Sequence, residues 1–166
     1  MRNSAIDELE SLIQQDSENS WYRYRLAMAC SVGELSESST NELKLMEKSV
    51  EIASELKEQF PRVLDYHYLY GSVRNKLAGQ LIKSGNLEGA LESLKMVKSS
   101  FEYVSDLSPT DRTYKITKLV LGKQLGALIA ESEKVNNTTV AQAAKEMIGQ
   151  VRQGGPAQPK GRIHRK

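Results

Sequence analysis

Residues 77–97 read LAGQLIKSGNLEGALESLKMV. Leu77, Ala78 and Leu81 recur at three- and four-residue steps, which places them on one face of a helix. Gly85 can end that helix in a left-handed conformation, and Asn86 can cap the next one. Leu87, Ala90, Leu94, Val97, Phe101 and Val104 then alternate steps of three and four. The stretch therefore predicts helix, tight turn, helix, with the small Ala90 where the two helices cross.

Working outward, the same grammar repeats. Asn3–Ser4 open a short helix over 4–15 carrying Ile6, Leu9, Leu12 and Ile13. Trp21–Leu35 is apolar around much of its girth, so it should pack on two sides. A loop over 36–41 follows, with Ser39 and Glu42 at capping-box spacing. Leu43, Met46, Val50, Ala53 and Leu56 then stripe a helix that closes at Phe60–Pro61. Tyr66, Tyr70, Val73 and Leu77 lead into the opening stretch, whose second helix runs to Leu107. A helix over 113–134 carries Leu121, Leu125 and Leu128, and Thr139 with Gln142 has capping-box spacing before a helix striped by Val140, Ala144, Met147 and Val151. Gly154–Gly155–Pro156 stops it, and the basic residues beyond have no apolar spacing that could fold.

The helices thus fall into pairs, at about 21–60, 66–107 and 113–152, after the leading helix. Phe60–Pro61 and Ser108–Pro109 close equivalent helices, and a Tyr- or Trp-bearing helix opens each pair. Residues 77–97 resemble the tetratricopeptide repeat, a helix–turn–helix unit with a period of about 34 residues. Leu77–Ala78 stand for its Leu–Gly pair, Leu81 for its Tyr, Gly85 for its turn Gly, Ala90 for its Ala and Leu94 for its aromatic. Ala78 replaces Gly, and the closing Pro comes late, at Pro109. The longer period here, with its Gly-Asn-Leu-Glu-Gly-Ala turn, is similar to the helical repeats beside the kinase domain in planctomycete serine/threonine protein kinases. The resemblance implies an all-α fold of antiparallel helix pairs, stacked over 1–153 as a short TPR-like α-solenoid, with 154–166 a disordered basic tail. Beginning on a lone helix, the chain reads like an array entered halfway through a repeat.

A chain of 166 residues can bury a sizeable core, and a formal net charge of +2 is too small to imply a nucleic-acid partner. Arg152, Lys160, Arg162, Arg165 and Lys166 gather at the C-terminal end, but without interleaved aromatics they read as a solvated end rather than a nucleic-acid or membrane grip. One cysteine, Cys30, forbids an internal disulfide and fits a cytoplasmic location. No apolar run approaches the roughly 18 residues of a membrane span.

Chemistry is hard to find. There is no glycine-rich phosphate loop, no His-Arg-Asp or Asp-Phe-Gly, and no His-Glu-x-x-His. His67 and His164 with one cysteine do not make a metal site, and no cofactor is expected. Cys30 reads as a buried inert thiol, His67 as a partly exposed packing residue, Tyr66, Tyr68 and Tyr70 as core with polar tips, and Glu88 and Glu92 as a solvated face. The expectation is a non-enzymatic module that binds a protein or peptide. In tetratricopeptide domains the first helix of each pair lines the concave side. Carrying those positions over points to Ser72, Asn75, Gly79, Ile82 and Lys83, to Val120, Lys123 and Ala127, and to Arg25 on the first pair. The peptide-binding candidates are Arg25, Asn75, Lys83 and Lys123. A regulatory or scaffolding fragment of a serine/threonine protein kinase, its catalytic domain absent from this chain, is the alternative. A small all-helical enzyme would need a convergent polar pocket.

Overall fold

The computed structural model describes residues 2–32, 40–108 and 113–153. The described residues are all-α: α1 (Arg2–Gln15), α2 (Ser20–Ser31), α3 (Thr40–Gln59), α4 (Leu64–Lys83), α5 (Leu87–Leu107), α6 (Thr113–Lys134) and α7 (Thr138–Gln153). The expected cap at Ser39, residues 36–39 of the expected loop, the Pro109 joint and the basic tail lie outside them, while residues 40 and 41 of that expected loop are already helical in α3.

Two turns are built alike, bond for bond. At the end of α4, Gly85 takes φ +80°, its N–H reaches Ile82 O, and the Asn86 N–H reaches back to Leu81 O. This is the Schellman geometry, which satisfies carbonyls left open by the helix end. Asn86 Oδ1 then accepts from the Gly89 N–H at 3.0 Å and caps α5. At the end of α6, Asn136 takes φ 57°, its N–H reaches Glu133 O, and the Asn137 N–H reaches Ser132 O. Asn137 Oδ1 accepts from the Val140 N–H at 3.2 Å. The cap of α7 is therefore Asn137, not the expected Thr139–Gln142 box. The left-handed Asn136 turns the chain early, and the helix has begun before Thr139 is reached. Asn137 also donates from Nδ2 to Glu88 Oε1 at 2.8 Å, tying the second turn to the start of α5.

The expectation that α2 runs to Leu35 is corrected as well: it ends at Ser31, and Val32 has already left helical geometry. Lys76 of α4 reaches that end and donates to Ser31 O at 3.1 Å and Ser31 Oγ at 3.3 Å. A cation there meets both an open carbonyl and the negative pole of the helix. At its start α2 is capped by Asn19, whose Oδ1 accepts from the Trp21 and Tyr22 N–H groups.

Each helix packs against the next in the chain, and α2 meets α4, α4 meets α6, and α5 meets α7. The core lies along the chain in three successive clusters. Ile6, Leu26 and Cys30 form the first, and residues of α2–α4 including Ala53, Leu56 and Val73 form the second. Ala78, Ala90, Leu94, Leu125, Leu128 and Ala144, with their neighbours, form the third. Cys30 is buried as expected.

Close packing needs small residues, and α4–α5 supplies them. Ala78 and Ala90 are fully buried, and a Cβ added at Gly71 would lie 2.4 Å from the Phe101 ring. Buried serines tie helices without needing water. Ser93 Oγ donates to Arg74 O and Ser100 Oγ to His67 O, both at 3.0 Å, while Ser49 Oγ donates to Ala27 O at 2.6 Å.

Two outcomes check this account. Gly71→Ala should lose roughly 1–3 kcal/mol through overpacking against Phe101, whereas Gly122→Ala, which meets open space, should not destabilise. Equal urea midpoints for the two variants would show that α4 and α5 do not approach this closely. Asn137→Ala should lose about 1 kcal/mol and Thr139→Ala much less; the reverse order in thermal melts would restore the Thr139 cap.

Candidate interaction surface

The four residues expected to bind a peptide do not converge on one point. Arg25 is exposed on α2, with its guanidinium 5.6 Å from the ring centroid of Trp21. Trp21 is itself exposed and stacks on Tyr24 at 5.7 Å. Asn75 and Lys83 share a face of α4 two turns apart, with Gly79 between them. Lys83 is exposed in the last turn, and Asn75 is half-buried with its Oδ1 covered and unpaired. Lys123 is exposed on α6.

Between these residues the strip is partly filled. The side-chain amide of Gln124 lies 3.3 Å from where a Gly79 Cβ would stand, so α6 seats a polar group against α4 at the centre of the expected groove. Ile82, expected to face the groove, is buried in the third core cluster. Sequence reasoning missed Gln124, because the register between helices decides which side chain meets a glycine.

Sequence reasoning also missed a groove between α6 and α7. It has a volume of about 690 Å³ and is lined by Lys118, Leu119, Gly122, Lys123, Ile148, Val151 and Arg152. Leu119 is 76% exposed, Ile116 62% and Val120 41%. The signal was present in the sequence: α6 carries this second apolar stripe opposite its buried Leu121, Leu125 and Leu128. A helix that is apolar all round is expected to be covered on more than one side.

His67 sits in a different cleft, of about 360 Å³, with Lys57, Tyr70, Met96, Ser99 and Tyr103 among its walls. It is buried, not partly exposed, because α5 closes over it: its ring stacks on Tyr103 with centroids 4.4 Å apart, and the Tyr103 hydroxyl and His67 Nε2 both donate to Pro61 O. A carbonyl only accepts, so Nε2 carries the proton and Nδ1 is the lone-pair nitrogen. Nδ1 has no partner and no exposed surface, so as placed it cannot take a proton from a molecule in the cleft. Burial pushes the His67 pKa below its usual value; the Pro61 bond opposes this, and the nearby Lys57 charge adds to it. Burial likewise lowers Lys76. Tyr66 donates from its hydroxyl to Ser20 Oγ at 2.9 Å, the polar tip its burial requires. Glu88 is exposed, and the Asn137 bond holds its carboxyl below the usual range. Among the described residues no three His, Cys, Asp or Glu side chains are grouped to hold a metal, and no helix is long and apolar enough to cross a membrane.

The sequence matches no protein-family model, and neither a curated protein nor a solved structure matches it.

His67 gives a pH dependence with a definite sign. Its folded pKa lies below the unfolded value of about 6.5, so the unfolded chain binds the extra proton first and stability falls as pH drops through that value. The urea midpoint should be lower at about pH 5 than at about pH 7, and the drop should be shallower in His67→Phe. An unchanged pH slope in that variant would assign the titration to other groups.

Proposed function

We propose that this chain is a non-enzymatic protein-interaction module, a short tetratricopeptide-like stack of antiparallel helix pairs that binds a protein or peptide. The observation that carries the reading is the repeated turn: Gly85–Asn86 and Asn136–Asn137 share the same backbone bonds and the same Asn cap. The same turn joining two successive helix pairs supports a repeat, and repeats stack into extended binding surfaces. The order of contacts supports the pairing. His67 meets Ser100 while Arg74 meets Ser93, so α4 and α5 run in opposite directions. Arg23 meets Glu55 while Ala27 meets Ser49, so α2 and α3 do too. Ser20 meets Tyr66 while Ser31 meets Lys76, which runs the two first helices side by side. Contacts confined to helices one or two places apart support stacking rather than closure into a bundle.

On this reading the first helices α2, α4 and α6 line the concave side, and Arg25, Asn75, Lys83 and Lys123 present donors and charge to an extended peptide. Asn75 Oδ1 is covered and unpaired as placed, so it would reach a peptide N–H only after the side chain rotates outward. A partner isolated by affinity capture and identified should bind Asn75→Ala/Lys83→Ala at least about tenfold more weakly. Lys83 is exposed and the Asn75 oxygen removed is one that makes no bond, so the variant should lose less than about 1 kcal/mol, which a urea midpoint checks. Full affinity in the double variant would remove the concave strip from the reading.

A further inference from the structure

The α6–α7 groove is a second surface, which shares Lys123 with the expected peptide strip but none of the strip's α4 residues, and its chemistry selects its occupant. We infer that it receives an acidic amphipathic helix from a partner protein.

Shape argues for a helix. Two adjoining helices form a trough, and a third helix fills such a trough with apolar side chains spaced at three and four residues. The exposed face of α6 runs through Ile116, Leu119, Val120, Gly126, Ala127 and Ala130, apolar at one end and small at the other. A Cβ added at Gly122 or Gly126 would meet nothing within 4 Å, so an incoming helix can approach the backbone there. Interaxial distances of about 8–10 Å are ordinary at such contacts. Leu119, Ile148 and Val151 supply the apolar floor.

Charge argues for acid. Among the described residues, Lys118, Lys123 and Arg152 line the groove and no carboxylate does. A helix carrying Glu or Asp beside its apolar stripe would meet these cations, whereas a basic one would be repelled. The same argument disfavours this chain's own C-terminal residues, which hold Lys160, Arg162, Arg165 and Lys166 and no acid.

The test uses the full chain and two labelled synthetic peptides of about 18 residues, a length that supports a helix on binding. One has Leu at helical spacing flanked by Glu; the other has Lys in place of every Glu. In anisotropy titrations the acidic peptide should bind, and the basic one should bind at least about tenfold more weakly. Leu119→Asp and Arg152→Glu should each weaken the acidic peptide by a similar factor, while Asn75→Ala/Lys83→Ala should leave it unchanged. Affinity should fall as salt rises from about 50 to about 300 mM. Leu119 is so exposed that its substitution should leave the circular dichroism melt intact. Equal binding of both peptides, no binding of either, or indifference to Leu119→Asp overturns the inference and leaves the α4 strip to be judged on its own variant. Self-association in sedimentation velocity that Leu119→Asp abolishes would make the occupant a second copy, and would overturn it too.

Discussion

Everything in this molecule depends on how closely α4 can be approached. It meets α2, α3, α5 and α6, more helices than any other element contacts among the described residues. A helix enclosed in this way needs neighbours with little bulk at the points of contact, because interiors tolerate neither voids nor overlaps. Gly71 makes room for Phe101, and Ala78 and Ala90 keep the backbones near each other. Serine does the rest. A hydroxyl from α5 is short enough to bury and still reach a carbonyl of α4, so the interface gains direction as well as contact.

Much of this was legible because it is local. Gly85 followed by Asn86 specifies its turn through backbone geometry and one side chain, both within a few residues. The second turn uses the same device in a less obvious spelling, Asn136–Asn137. Asn is the residue other than Gly that most readily takes a left-handed backbone, and a second Asn can cap at once. Reading a capping box at Thr139 overlooked that the cap had already been made. Three- and four-residue spacing marked the helices themselves, with boundaries mostly within one or two residues.

What sequence did not reveal depends on register between helices. The burial of His67 follows from α5 placing Tyr103 over it, and the end of α2 is met by a lysine on α4, far along the chain. Gln124 against Gly79 belongs to the same class. The candidate residues Asn75, Lys83 and Lys123 were assigned to helices correctly, yet what lies between them was settled by a neighbour. The α6 groove is different. Ile116, Leu119 and Val120 were visible as apolar letters, but attention to the stripe that packs hid the stripe that does not.

The restriction of contacts to helices one or two places apart has a consequence for how the chain acquires its shape. Among the described residues each helix packs on segments made shortly before it, so these helices have no distant partner to find and no long loop to close. Chains of such short-range topology fold quickly for their size. During synthesis, α2 and α3 can dock while α5 is still being made, and each later helix adds to a surface already standing at the ribosome exit. Order of emergence and order of assembly are then the same thing.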